Sequence, residues 1–311
     1  MDLVCAIVVL LFSHLPVVSL LMNIDLHIHS SYSDGAYSPS ELIMLAQQQN
    51  IGTLAIADHD SVAGIPSGIA SGHSCGIEVI PATELSVQFN TYNDVHLLGY
   101  GINYEDELFL HHLNGFKNRR EHRNEEILKQ VNLLLLTEGR LEIPVEEARV
   151  YAHGSLGRPH IARALLDRQY VTNVEDAFRR YLIPCNVPKS YWPMADAIKE
   201  IHRLGGVAVL AHPTSISKNS EELKQVIIQL KSIGLDGLEV FNNMGWPQEI
   251  EFLRRLAVEL DLIVTAGSDF HGIEDGLEIG KGREGIRFDS DLLAPLYDRI
   301  RSRRNPVREI V

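Results

Sequence analysis

Thiols are scarce in this sequence, with three cysteines in 311 residues, Cys5, Cys75 and Cys185. An odd number at wide spacing excludes a disulfide framework and a cysteine-based metal knuckle, and it fits a reducing cytoplasm. Positive charge is missing from the first third of the chain, where no Lys or Arg precedes Lys117. Twelve of the 41 acidic residues lie up to Phe116, leaving 29 acids against 28 bases, so the formal net charge of −13 belongs almost wholly to the N-terminal part. That part suits the holding of cations, whereas the remainder can offer local basic patches. Low-complexity segments and internal repeats are absent too. With 45% hydrophobic and 22% charged residues, the chain can bury one large core.

Residues 1–21 are apolar, with Val8, Val9, Leu10, Leu11 and Phe12 interrupted by His14 and Pro16. The run lacks the positively charged start of a signal peptide and any basic flank to orient an anchor. It reads as an upstream extension before a start at Met22, and no stable membrane association is expected unless it is retained as an anchor.

From Met22 the pattern alternates strand and helix. Residues 24–28 read as a strand, and Ser38-Pro39-Ser40-Glu41 reads as a helix start with Ser38 as N-cap, Pro39 at N1 and Glu41 completing a capping box. That helix passes Leu42, Leu45 and Ala46 and is expected to end near Asn50. Residues 53–57 form an apolar run bounded by Gly52 and Asp58-His59-Asp60, as a buried parallel strand does. A further strand is expected at 95–98. Residues 103–193 change rhythm and read as helical and charged, with segments at 117–136, 159–168 and 174–182. Alternation then resumes at 207–211, 223–233, 238–241, 248–260 and 262–266. The simplest account is an α/β fold, a β/α barrel or barrel-like layer (22–102 and 194–311) carrying a helical insertion (103–193) of about ninety residues, the size of a small domain.

His27 and His29 are two apart in a strand, so both imidazoles share a face. Similar groups follow at successive element ends: Asp34, His59, Glu84, His96, His212, Asp269 and His271. In a parallel β/α architecture the strand ends converge on one rim, where active sites are built. Imidazole and carboxylate without thiolate suit manganese, iron or zinc. Taken singly, each group has an ordinary reading: a His-x-His on a plain strand face, a solvated loop at Asp58-His59-Asp60, core histidines at 96 and 212. Placed together at strand ends, they point to a multi-metal site. Two or three cations about 3.5–4 Å apart lower the pKa of a water and neutralise charge growing on phosphoryl oxygens. Asp25 and Asp60 adjoin ligands and read either as partners that orient imidazoles or as turn and capping residues.

These residues resemble the polymerase and histidinol phosphatase (PHP) superfamily, over nearly everything after Met22. The resemblance rests on Asp25-Leu26-His27-Ile28-His29-Ser30, Asp58-His59-Asp60, Glu84, Ala211-His212-Pro213 and Ser268-Asp269-Phe270-His271. It implies a distorted seven-stranded β/α barrel with a trinuclear site. By position, His27, His29, Glu84 and Asp269 would hold one metal, Glu84 would bridge to a second at His96 and His212, and Asp34, His59 and His271 would hold the third. Asp34 stands where several relatives have His, which implies a harder, manganese-preferring third site. The insertion with Gly157-Arg158-Pro159-His160 resembles the branch of nucleoside 3′,5′-bisphosphate phosphatases and RNase AM, a 5′-to-3′ exoribonuclease. The function implied is hydrolysis of those bisphosphates, or trimming of short 5′-phosphorylated RNA, by a metal-activated water.

Arg158 supplies a planar fork suited to a phosphate, and His160 can donate a second hydrogen bond or protonate a leaving oxygen. Helix-start packing is the ordinary reading of the pair. Arg119, Arg120 and Arg123 cluster at a helix start and read either as substrate contacts or as a solvated face paired with Glu125 and Glu126; Lys189 lies near the return to the barrel. So few bases fit a small nucleotide or short single strand and not duplex DNA. The other readings are a histidinol-phosphate phosphatase, which does not need the insertion, and a noncatalytic metal-binding module.

Overall fold

The computed structural model describes residues 23–150, 156–273 and 276–305; the apolar segment 1–21 and Met22 lie outside them. Strand β1 (Asn23–Ile28) runs buried into the interior, and a turn leads to α1 (Pro39–Gln48). The expected capping box is formed: Ser38 Oγ accepts from Glu41 N at 3.4 Å, and Glu41 Oε2 accepts from Ser38 N at 2.8 Å. The helix closes at Gln48, two residues before Asn50, which takes a φ of 57° to turn into β2 (Ile51–Ile56). Helix α2 (Ile65–Cys75) ends on left-handed Gly76, and β3 (Glu78–Val79) completes a parallel sheet ordered β1-β2-β3.

The next pair departs from uniform parallel alternation. β4 (Ala82–Phe89) and β5 (Tyr92–Tyr100) are joined by only two residues, and so short a connection returns the chain antiparallel.

Helix α3 (Glu107–Thr137) starts ten residues before the expected 117, because Asp106 caps it by accepting from Phe109 N at 2.9 Å. Its first turns bury Phe109 and Leu113 in the apolar cluster under the β4–β5 hairpin. Its later turns place Ile127, Leu128, Val131 and Leu135 in a separate cluster. That cluster is shared with α4 (Val145–Arg149), α5 (Arg158–Asp167), α6 (Val174–Ala177) and the π-turn Phe178–Leu182 that prolongs α6.

β6 (Trp192–Pro193), α7 (Met194–Arg203), β7 (Val207–Leu210), α8 (Ser220–Ser232), β8 (Gly237–Phe241), α9 (Pro247–Glu259), β9 (Ile263–Ala266) and α10 (Leu293–Arg304) follow. They extend a sheet ordered β6-β4-β5-β7-β8-β9, in which β7, β8 and β9 are parallel to one another and β5 runs against both neighbours. Isolated bridges join Ile28 at the end of β1 to Phe270, beyond β9, and His59, beyond β2, to Glu84 of β4. No helix among the described residues is long and apolar enough to cross a membrane.

Candidate metal centre

The interior end of β1 fixes the first pair of ligands. His27 and His29 are fully buried on one face, and their Nε2 atoms converge to 3.1 Å. Asp269 Oδ1 lies 3.1 Å from His29 Nε2 and 3.4 Å from His27 Nε2, and Glu84 reaches the same two nitrogens at 3.4 and 3.3 Å. This approach requires Gly267, where an added Cβ would lie 2.2 Å from the Cβ of His27.

Glu84 Oε1 also lies 3.0 Å from His96 Nδ1 and 3.2 Å from His212 Nε2. Both Glu84 and His96 sit inside their strands and not at strand ends; because β5 runs opposite to its neighbours, its early residues reach the same rim. Asp34 gathers the third group, with oxygens 3.7 Å from His29 Nδ1, 3.6 Å from His59 Nε2 and 3.5 Å from His271 Nε2. The structure thus brings all nine expected groups together, with two changes of grouping: His29 also faces the Asp34 group, and His59 also faces Glu84 and His96. His212 and Asp269 adopt φ of 28° and 54°. Such backbone costs about 1–3 kcal/mol per residue and persists where the surroundings impose it.

The electrostatics are those of imidazoles competing for three carboxylates. Burial disfavours a charged His27, yet Glu84, Glu239 and Asp269 together hold its pKa well above the usual value. His96 rises to about 10 against burial because of Glu84, and His271 to about 9 because of Asp34. Burial, then the neighbouring His59, pushes His29 down to about 4. Burial opposes ionisation of Glu84 and Asp269, but the surrounding imidazoles hold both well below the usual carboxylate range. His29 Nδ1, His59 Nδ1 and Glu84 Oε2 are buried without hydrogen bonds; the last two lie only 2.9 Å apart but are not aligned for one. Buried lone pairs aimed at a common centre, unsatisfied by protein donors, fit divalent cations.

A PHP domain matches residues 25–184. A 5′-3′ exoribonuclease from Haemophilus influenzae is 31% identical over 278 residues, covering 88% of this chain and 98% of the relative. A 3′,5′-nucleoside bisphosphate phosphatase from Chromobacterium violaceum is 30% identical, covering 83% and 90%. The chain belongs to the PHP family. A crystal structure described as that of a metal-dependent phosphoesterase from Bifidobacterium adolescentis superposes with a TM-score of 0.75 at 26% identity, over 89% of this chain and 96% of that one. The protein is a metal-dependent phosphoesterase of the PHP family, a hydrolase.

Around the PHP centre, Asp25 and Asp60 follow the turn-holding one of their two readings. Among the described residues Asp25 bonds no imidazole ring and instead accepts from the His27 backbone N at 3.3 Å. Its carboxylate accepts from Ser268 Oγ at 2.6 Å, Ser268 N at 2.9 Å and Gly280 N at 2.6 Å, fixing the turn that carries Asp269. Burial pushes its pKa up to about 6 despite these bonds. Asp60 likewise holds Ser86 N at 2.9 Å and Arg120 Nη2 at 2.6 Å. The carboxylate that does orient an imidazole is Glu239, which sequence reasoning missed. Buried on β8, it accepts from His27 Nδ1 and from the backbone N of His212, both at 2.8 Å.

A cavity of about 470 Å³ opens over the rim, lined by Asp34, His59 and His96 of the ligand set and by Arg120, Arg123, Arg158, Lys189 and Tyr191. Arg119 is not in it and lies over the Phe116 ring at 4.1 Å, a ring that stacks on Trp192. Arg123 lines the cavity instead, donating to Val187 O at 2.6 Å and Asn186 Oδ1 at 2.9 Å. Neither Glu125 nor Glu126 pairs with this cluster, since Glu125 takes Arg149 and Glu126 takes Lys129. His160 lines a neighbouring cleft, and its Nδ1 accepts from Gly157 N at 2.9 Å at the start of α5.

Proposed function

We propose that this enzyme hydrolyses nucleoside 3′,5′-bisphosphates and trims short 5′-phosphorylated RNA from its 5′ end, with a terminal 5′-phosphate held at Arg158. One observation carries the reading. Of the cations facing the ligand cluster, Arg120 is paired with Asp60 at 2.6 Å and Lys189 with Asp94 at 2.5 Å. Among the described residues Arg158 makes no ion pair or hydrogen bond, and it lies 5.6 Å from the Phe178 ring centroid. Arg123 bonds only neutral groups, and burial first and the nearby Arg158 charge next hold its pKa below the usual value. Two uncompensated guanidiniums side by side call for an anion, and a phosphate monoester suits their forks.

Both substrates then break the same bond. Water oxygen bonds to phosphorus, the P–O3′ bond breaks, and O3′ leaves with a proton as a 3′-hydroxyl. A bisphosphate yields inorganic phosphate; RNA yields a 5′-mononucleotide and a shortened chain that keeps a 5′-phosphate. In our reading His27, His29, Glu84 and Asp269 hold one cation, Glu84 with His96 and His212 a second, and Asp34, His59 and His271 a third, with manganese favoured by the hard Asp34 oxygens. Divalent cations held there would lower the pKa of a water and neutralise charge growing on the phosphoryl oxygens. Lys189 and Arg120, tied to Asp94 and Asp60, shape the substrate wall. His160 acts by positioning: its bond to Gly157 N fixes the helix start that presents Arg158.

We also infer that the two sheets are parts of one distorted barrel, a reading supported by the Ile28–Phe270 and His59–Glu84 bridges, and that residues 103–193 select the substrate. The test is phosphate and mononucleotide release from adenosine 3′,5′-bisphosphate, a 5′-phosphorylated oligoribonucleotide and histidinol phosphate, with chelated and manganese-reloaded protein. The expected result is manganese-dependent turnover of the first two, lost in Arg158→Ala. Inertness toward both would refute it; preferred turnover of histidinol phosphate would favour the histidinol phosphatase reading. A noncatalytic module would show no turnover for Asp269→Asn to abolish.

A further inference from the structure

The ligand cluster faces two openings. Beside the arginine-lined cavity lies a cleft of about 1090 Å³ that shares Asp34, His59 and Arg120 with it and runs between the turn after β1 and the first half of α3. Its walls differ from those of the cavity. Tyr32, two residues before Asp34, lines it and is 49% exposed. Lys117 of α3 lines it too and makes no ion pair among the described residues.

The Tyr32 turn is tightly held. Tyr32 N donates to Ser30 Oγ at 3.2 Å, while Ser30 Oγ and Ser33 Oγ donate to the buried Asp58 carboxylate at 2.7 and 2.6 Å. Gly35 closes the turn against the backbone of His29, where a Cβ would lie 2.2 Å from the carbonyl oxygen. One edge of the ring is backed by Gly64, whose hypothetical Cβ would lie 3.3 Å from Tyr32 Cδ2. A half-exposed aromatic ring on a fixed turn beside the ligand cluster has a ready use in a phosphoesterase that acts on a chain, because every base offers a π face to stack on.

Resting on the reading that the 5′-phosphate binds at Arg158, we propose that this cleft takes the nucleoside attached through O5′ to the attacked phosphorus, with the Tyr32 ring as its stacking platform and Lys117 beside the following phosphate. The two openings then divide the substrate. The arginine cavity holds the nucleotide to be released, and the cleft holds the chain that remains. Stacking is indifferent to base identity, so trimming proceeds without sequence preference.

The experiment compares a 5′-phosphorylated tetraribonucleotide with adenosine 3′,5′-bisphosphate on the manganese-loaded full chain. Tyr32→Ala should lower kcat/KM for the tetranucleotide by about ten-fold or more, chiefly through KM, and for the bisphosphate at least about five-fold less. Tyr32→Trp should restore RNA turnover, and Lys117→Ala should reduce the salt dependence of RNA binding. A non-cleavable phosphorothioate tetranucleotide, followed by fluorescence anisotropy, should bind more weakly to Tyr32→Ala in the same proportion. Equal losses for both substrates, or unchanged RNA turnover and binding, would overturn the proposal. If the wild-type enzyme cleaves the bisphosphate and not RNA, the chain-trimming part of the proposed function fails, and the anisotropy arm alone decides the role of Tyr32.

Discussion

Glu239→Gln removes one charge from the interior and almost no volume. The carboxylate serves two donors at 2.8 Å, the His27 ring and the His212 backbone, and is inaccessible to solvent. A glutamine oxygen can accept from one of them, but its NH2 must then face the other N–H. Loss of a carboxylate behind a metal-bound imidazole typically weakens metal binding 10- to 100-fold, about 1.4–2.7 kcal/mol. A buried donor left unpaired destabilises the protein by a further ~1–3 kcal/mol. The affinity is read by calorimetric titration of manganese into chelated protein, and the stability by the melting temperature of the chelated form. A folded variant that binds manganese as tightly as the wild type would refute the assignment of Glu239 as the support of His27 and His212.

Gly35→Ala would force a Cβ to within 2.2 Å of the His29 carbonyl oxygen; overpacking of this kind costs ~1–3 kcal/mol, and a lowered melting temperature with weakened metal binding is expected in calorimetry. Ser38→Ala removes half of the capping box at the start of α1 and should cost about 1 kcal/mol in urea unfolding, with metal affinity unchanged. Asp236 is buried; although burial opposes its charge, hydrogen bonds from His202, Ala208 N and Arg303 hold its pKa below the usual value. Because the folded value is the lower one, its stabilisation is present above about pH 4 and is lost as pH falls through the folded value. Asp236→Asn should therefore flatten the fall in melting temperature between about pH 5 and about pH 3, and an unaltered acid profile would show that other carboxylates carry it.

Local chemistry made much of this legible. The Ser38 to Glu41 cap is a short-range pattern whose geometry follows from four residues, and His27-x-His29 fixes a shared face by the period of a strand. What was missed depends on tertiary pairing. The expectation of strand and helix alternation failed at Asn90-Thr91, where the brevity of the link between two strands was itself the signal for a hairpin. The start of α3 was misplaced because residues 107–116 carry little charge of the kind that marks the later helix, while Asp106 followed by Phe109 and Leu113 held the cap and the buried stripe. Glu239 was overlooked inside the run Leu238 to Phe241, although a lone carboxylate in an otherwise apolar buried strand marks a paired interior charge. Arg119 and Arg123 could not be told apart without knowing which side of α3 faces the rim.

The uneven charge of the sequence acquires a physical reason from the centre it surrounds. A lysine or arginine within reach of Glu84 or Asp269 would compete with cations for the same oxygens, and the first 116 residues, which supply Glu84 and four of the imidazoles, contain none. Where later cations do approach, they arrive neutralised, Arg120 by Asp60 and Lys189 by Asp94, each carboxylate lying within two residues of a ligand. The acidic residues beside His59 and His96 thus neutralise the two bases that approach the metal bed. Uncompensated positive charge is left at Arg123 and Arg158, which line the same cavity as Asp34, His59 and His96. In the proposed function, a 5′-phosphate held there would leave the phosphorus one nucleoside away as the group presented to the metal side. On that reading, the distance from these guanidiniums to the ligand cluster, and not any base contact, would select the bond that breaks.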